Sequence, residues 1–372
     1  MSHIRVIPTP RSVSIAITGR CNLRCQYCFY ADEMAALSDL PTERWLAFFE
    51  QLGRLGVMDV TLTGGEAFTR PDLFDLIDGV IANRMRYSIL SNGTVIDEKV
   101  LAQFEIGKRR LRLDYIQISI DGSRAEIHDK SRPNSFRRAM RGLRLLEEAQ
   151  FPVAVRVTIN RHNLHDLENI ARLLLEEIGL PSFATNEAAL IGAGCQNQGQ
   201  ISLTSAEELE AMETLERLSE RYPSRLKAQA GPQAKRKAYA QMEHARRTGE
   251  KSTSWTMGYL SACGGVFSKL DVLHDGTIVP CHILHGLALG NIATDSLGEI
   301  WRTHPTLQAL RERRCIPMQQ VPGCEDCEWA PHCNGGCPGV AYELTGDFNR
   351  ANRQDCYRGF LTKTGRNYAM RS

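Results

Sequence analysis

The run Ser12-Val-Ser-Ile-Ala-Ile-Thr18 is rich in β-branched and small apolar side chains and lies between Pro10 and Gly19, which predicts a first strand. A cysteine-bearing polar loop follows, and then Leu40-Pro41-Thr42 opens a helix in which Trp45, Phe48, Phe49 and Leu52 recur at helical spacing. The alternation repeats along the chain. A strand over 59–63 runs into Gly64-Gly65-Glu66 and a helix from Pro71; a strand over 86–90 ends in Ser91-Asn92-Gly93-Thr94 before a helix near Asp97. The strand over 115–120 ends in Asp121-Gly122, with a long loop through His128 and Arg132 leading to a helix from Phe136 to Ala149. A fifth strand spans 153–159, residues 164–178 are helical with Gly179 as the stop, and a sixth strand starts at Pro181. Six strand-helix units in about 190 residues predict a parallel α/β sheet, open or closed.

Between Ser205 and about Tyr259 the strand pattern stops, and Leu209, Met212, Leu215 and Leu218 predict an amphipathic helix. The expected division is therefore 1–200 for the α/β unit, 201–262 for a helical bridge and 263–372 for a cysteine-rich region. Within the bridge, residues 225–251 hold eight Lys or Arg against two Glu, which reads as a solvated helical face, with a docking surface for an acidic peptide as the alternative. The run lacks the aromatics of a single-strand nucleic-acid surface, so no nucleic acid is expected. Net charge is +2 and selects no partner, and no stretch has the length and apolarity of a membrane span or signal peptide. Twelve cysteines without such a signal point to a reducing cytoplasm and to metal or cluster ligation.

Three of those cysteines, Cys21, Cys25 and Cys28, have Cys-x3-Cys-x2-Cys spacing directly after the first strand. Structural zinc sites use four ligands, whereas three thiolates leave one iron of a 4Fe-4S cluster open to a cofactor or substrate. The last third holds Cys263, Cys281, Cys324-x2-Cys327-x5-Cys333-x3-Cys337 and Cys356. From the paired spacing in that block alone, zinc is the default.

The first loop, with Tyr27 before Cys28, resembles the radical S-adenosylmethionine (radical SAM) family, and the later cysteines resemble its SPASM extension. The resemblance implies a partial (β/α)6 barrel with a C-terminal auxiliary-cluster domain, and reductive cleavage of S-adenosylmethionine to a 5'-deoxyadenosyl radical. It implies cofactor contacts from Tyr27, Gly64, Gly65, Glu66, Ser91, Asn92, Ser119, Asp121 and Arg132: Glu66 for the methionine amine, Arg132 for the carboxylate. His128 is expected only to anchor its loop. Cys21, Cys25 and Cys28 would hold the catalytic 4Fe-4S cluster. Two auxiliary 4Fe-4S clusters would take Cys324, Cys327, Cys333 and Cys356, and Cys263, Cys281 and Cys337. Cys315, Cys195 or an open iron completes the inner one. Anaerobic sulfatase-maturing relatives usually place an aspartate base where this chain has His282, which argues against that activity and leaves His282 a candidate proton acceptor.

The resemblance to peptide-modifying maturases implies a precursor peptide as substrate, hydrogen abstraction and a crosslink as product. The expected partner is a flavodoxin- or ferredoxin-type reductant, and, since no peptide-binding winged-helix domain is expected before Cys21, leader recognition would fall to the barrel surface, the bridge or a separate leader-recognition protein. The alternatives are action on a small molecule or tetrapyrrole, and peptide epimerisation with Cys195 as hydrogen donor. Last comes a non-catalytic electron carrier.

Overall fold

The structure is a computed structural model describing residues 6–31, 39–228, 230–252 and 255–365. The six predicted strands are β1 (Ser12–Thr18), β2 (Asp59–Gly64), β3 (Arg86–Ser91), β4 (Leu113–Ser119), β5 (Val153–Ile159) and β6 (Phe183–Glu187). Each lies parallel to the next, in sequence order. Right-handed connections between successive parallel strands put the helices on one side, so the sheet has a helix-covered outer face and an inner face, as in a partial barrel. Side chains alternate between the two. Ile15, Leu62, Ile89 and Ile116 sit in register across β1 to β4 and are fully buried in the outer core.

The helix Thr42–Leu55 buries Trp45, Phe48, Phe49 and Leu52 against that core and stops at Gly56, whose φ of 75° closes the last turn in the left-handed region. The helix Phe136–Glu148 covers β4 and β5 in the same way, through Ala139, Leu143 and Leu146. The helical stretch from Leu164 changes pitch at Leu173–Glu177, a π turn that buries three consecutive leucines.

Several elements differ from the sequence reading. The expected loop through His128 contains a helix, Ala125–Ser131, whose buried residues are His128 and Ser131. Its inward face is polar, so apolar periodicity could not reveal it. The bridge is not free of β structure: β7 (Leu226–Ala228) pairs in parallel with β6, but three residues are too few to show alternation. On the opposite edge, β8 (Lys269–Val272) pairs in parallel with β1 and turns back through β9 (Thr277–Val279) and β10 (Gly290–Asn291), giving ten strands.

The two bridge helices are Ser205–Arg221, opened by a Thr204/Glu207 capping box, and Pro232–Thr248. The basic run is not wholly solvated. Lys235 is partly buried, with its ammonium 2.9 Å from Glu187, 2.7 Å from Glu208 and 3.4 Å from Asp355. One side chain thus ties the end of β6, the first bridge helix and the last cysteine segment together. Among the described residues, no helix is long and apolar enough to cross a membrane.

Candidate active site

The first cysteine loop leaves the C-terminal end of β1 and is fixed by backbone bonds from the loop after β2: Gly65 N donates to Thr18 O and Glu66 N to Arg20 O, both at 2.8 Å. A Cβ on Gly64 would stand 2.2 Å from Thr18 O, and one on Gly65 2.1 Å from Arg20 O. The close approach these glycines permit is therefore to the chain's own loop. Asn22 extends the attachment, donating to Thr94 Oγ1 at 2.8 Å and accepting from Asn92 Nδ2 at 2.9 Å. From the other end of the chain, His274 Nδ1 lies 2.7 Å from the Tyr30 hydroxyl, and Leu273 and Val279 pack with Cys21 and Cys28.

Cys21, Cys25 and Cys28 are half-buried, and two of their sulfurs already receive N–H donors. Leu23 N is 3.4 Å from Cys21 Sγ, and Arg132 Nη1 is 3.6 Å from Cys25 Sγ. Burial pushes the Cys21 thiol up to about 11 and that of Cys28 to about 12. The metal-free thiols hold their protons, and a bound metal centre would displace them.

The nine residues expected around the cofactor separate into two clusters and one free group. In the first, Glu66 is buried; its Oε1 accepts from Ser91 Oγ at 2.9 Å and Phe68 N at 3.2 Å, its Oε2 from Asn92 N at 2.7 Å. Burial pushes its carboxyl up against the pull of those donors. In the second, Asp121 Oδ2 accepts from Arg132 Nε at 2.5 Å and from the Tyr27 hydroxyl, while Oδ1 accepts from Thr158 N at 2.6 Å. The Arg132 guanidinium also lies over the Tyr27 ring, 5.3 Å from its centroid and within cation–π reach. Asp121 thus spends its carboxylate on protein groups and orients Arg132. His128 holds this corner, accepting from Asp121 N at 3.0 Å with its other nitrogen 2.9 Å from Ser135 Oγ. The free group is Ser119, whose hydroxyl has no hydrogen-bond partner among the described residues at the end of β4.

In the C-terminal region, Cys324, Cys327, Cys333 and Cys356 line one cavity with Trp329 and Tyr357. Burial raises the Cys324 and Cys333 thiols, and Gly335 N and Gly359 N point at the sulfurs of Cys333 and Cys356 at 3.3 and 3.5 Å. Cys263, Cys281 and Cys337 form a separate mutually interacting set, in which burial pushes Cys281 up to about 12. Cys195 and Cys315 are exposed; Cys195 sits on the turn Ala193–Gln196, which donates to Cys28 O. Thiols grouped as three, four and three, with N–H donors aimed at sulfur, suit iron-sulfur clusters. Among the described residues, no three such side chains close to the spacing of a single metal ion.

A pair that the sequence reading missed stands beside the inner set. His282 Nδ1 lies 2.6 Å from Asp271 Oδ2 on β8, His282 Nε2 is buried without a partner, and the rings of Phe29 and Tyr30 lie 6.3 Å away. Burial pushes Asp271 up, but the imidazole and Lys269 outweigh it and hold the carboxyl below its usual value. The only signal for Asp271 in the sequence was its alternation with Leu270 and Val272.

Residues 15–174 match the model of the radical SAM superfamily, and residues 263–328 match that of SPASM, an iron-sulfur cluster-binding domain. An AdoMet-dependent heme synthase of Methanosarcina barkeri is 27% identical over 361 residues, covering 95% of this chain and 99% of its own. A PqqA peptide cyclase of Granulibacter bethesdensis is 26% identical over 355 residues, 92% of this chain and 86% of the relative. Streptococcus suis SuiB superposes with a TM-score of 0.72 at 16% identity, over 95% of this chain and 78% of SuiB, a likeness of fold.

Proposed function

Because the chain belongs to the radical SAM superfamily and carries a C-terminal SPASM domain, which makes it a radical SAM oxidoreductase, we propose that it acts on a tetrapyrrole. The observation that carries this reading is the end-to-end correspondence with a heme synthase, 95% of one chain against 99% of the other. Cys21, Cys25 and Cys28 would hold a 4Fe-4S cluster, which with S-adenosylmethionine would supply radical chemistry for hydrogen abstraction from substrate.

The chain's own groups have assigned tasks around that chemistry. Glu66, with an open lone pair on Oε2, accepts from the methionine ammonium. Ser119 offers its free hydroxyl, and Arg132, pinned through Nε by Asp121, presents the rest of its guanidinium to the methionine carboxylate. Asp121 orients Arg132, and His128 holds their corner of the site. Ser91, Asn92 and the two glycines hold Glu66 and the loop in register. Cys324, Cys327, Cys333 and Cys356 hold the outer auxiliary cluster. Cys263, Cys281 and Cys337 would hold the inner one, with Cys315, Cys195 or an open iron completing it. His282, oriented by Asp271, presents Nε2 as an acceptor near the loop aromatics. Electrons arrive from a flavodoxin- or ferredoxin-type reductant.

The test is anaerobic. The reconstituted protein with S-adenosylmethionine and reductant is assayed for 5'-deoxyadenosine with and without coproporphyrin and its iron complex. Substrate-dependent formation with a mass change in the tetrapyrrole is expected; formation indifferent to every tetrapyrrole sinks the reading. A crosslink in a ribosomally made peptide is the second reading, supported by the PqqA peptide cyclase. In that case a short peptide encoded beside the gene would stimulate formation instead.

A further inference from the structure

We infer that the inner face of the sheet carries a binding position for a substrate carboxylate, with the Arg156 guanidinium as its cation. Arg156 alternates on β5 with Val155 and Val157, both buried in the outer core, so it projects to the opposite, inner face. It is paired in register with Ser119 of β4 and stands two residues before Thr158, whose N–H binds Asp121. That sets it about 7 Å, one pleat, beneath the Asp121–Arg132 pair, on the barrel side of the cofactor position.

The partners of Arg156 are few. Nε donates to Gln117 Oε1 at 2.9 Å, and among the described residues neither terminal amine has a hydrogen bond and no carboxylate lies within ion-pairing distance. Among the described residues, Arg132 is paired with Asp121 at 2.5 Å and Lys269 with Asp271 at 3.2 Å. Arg156 is half-buried, and burial pushes its pKa down, the mark of a cation that the protein leaves uncompensated. A buried unpaired charge is costly unless a ligand supplies the counter-charge. Gln117 fixes one edge of the planar fork and leaves the two terminal amines free, a shape that receives a carboxylate in bidentate fashion. The inference rests on the proposed tetrapyrrole substrate only for what bears the carboxylate: tetrapyrrole propionates supply it directly.

The experiment measures binding of coproporphyrin and of its tetramethyl ester to the anaerobic, cluster-loaded protein, for wild type, Arg156→Met and Arg156→Lys. Thermal unfolding confirms that the variants are folded. The expected result is a Kd for coproporphyrin at least tenfold higher in Arg156→Met, partly restored in Arg156→Lys. The ester should bind all three proteins alike, and the Kd for S-adenosylmethionine should move less than twofold. An unchanged coproporphyrin Kd overturns the assignment, as does a tenfold loss confined to S-adenosylmethionine, which would make Arg156 a cofactor ligand. If wild type binds no coproporphyrin, the tetrapyrrole reading fails on its own. Arg156 is then judged by phenylglyoxal labelling of wild-type protein: protection by an Asp- and Glu-containing peptide upholds the carboxylate site, and no protection overturns it.

Discussion

At the scale of single residues, the site is a set of charges that the protein neutralises selectively. Asp121 receives Arg132, Tyr27 and Thr158 N at once, so Asp121→Ala strands a guanidinium beside Cys25. Breaking such a pair costs about 3–5 kcal/mol. Urea unfolding of the variant should show that loss, and calorimetry should show weakened S-adenosylmethionine binding; an unchanged midpoint would refute the positioning role. His128 carries a pH signature. Burial lowers its pKa from an ordinary value of about 6.5 to about 4. It is neutral in both folded and unfolded states above 6.5; below that the unfolded chain takes up the proton first. Its stability contribution is therefore complete above about pH 6.5 and is lost as pH falls toward 4, by up to about 1.4 kcal/mol per pH unit. Urea titrations at several pH values should show that slope flattened in His128→Asn. At this scale the sequence was most legible where spacing encodes chemistry. The thiols lie in three groups in space, and Glu66 meets Ser91 and Asn92. It was silent on Asp271 and Arg156, polar residues that alternate with apolar ones on β8 and β5, because alternation shows only that such a residue faces inward and not what it meets there.

At the scale of elements, the six parallel strands could be read because each pairs with its sequence neighbour and carries a long apolar run. The elements that escaped, β7 and the helix Ala125–Ser131, are short or bury polar groups, so neither leaves a hydrophobic period. The loops depend on those strands through backbone contact. Gly65→Ala would drive a Cβ into Arg20 O, and because the obstacle is main chain, the cysteine loop must move. The variant should lose about four irons per chain and all 5'-deoxyadenosine formation while keeping the auxiliary clusters; full iron content would contradict this account. Lys235 is the corresponding clamp between β6, the bridge and the segment before Cys356. Lys235→Met leaves three carboxylates facing one another and should cost about 3 kcal/mol or more, read by urea unfolding. Weaker iron retention at the outer thiols should accompany it.

At the scale of the whole molecule, the cysteine-rich third is no appendage, since β8 completes the sheet against β1 and Leu273 and Val279 pack on the first cysteine loop. Anaerobic reconstitution should accordingly give about twelve irons per chain, falling by about four in Cys324→Ala. A loss of eight in that variant would mean that the two auxiliary clusters cannot assemble apart. The pairing of β1 with β8 also has a consequence in time. Some 250 residues separate the two strands, and at about 5–20 residues per second the ribosome needs roughly ten to fifty seconds to make them. Through that interval the first strand has an unpaired edge, and Cys21, Cys25 and Cys28 emerge uncovered. Early cluster delivery to the nascent chain, or a factor that shields the edge, would act before the protein can protect itself.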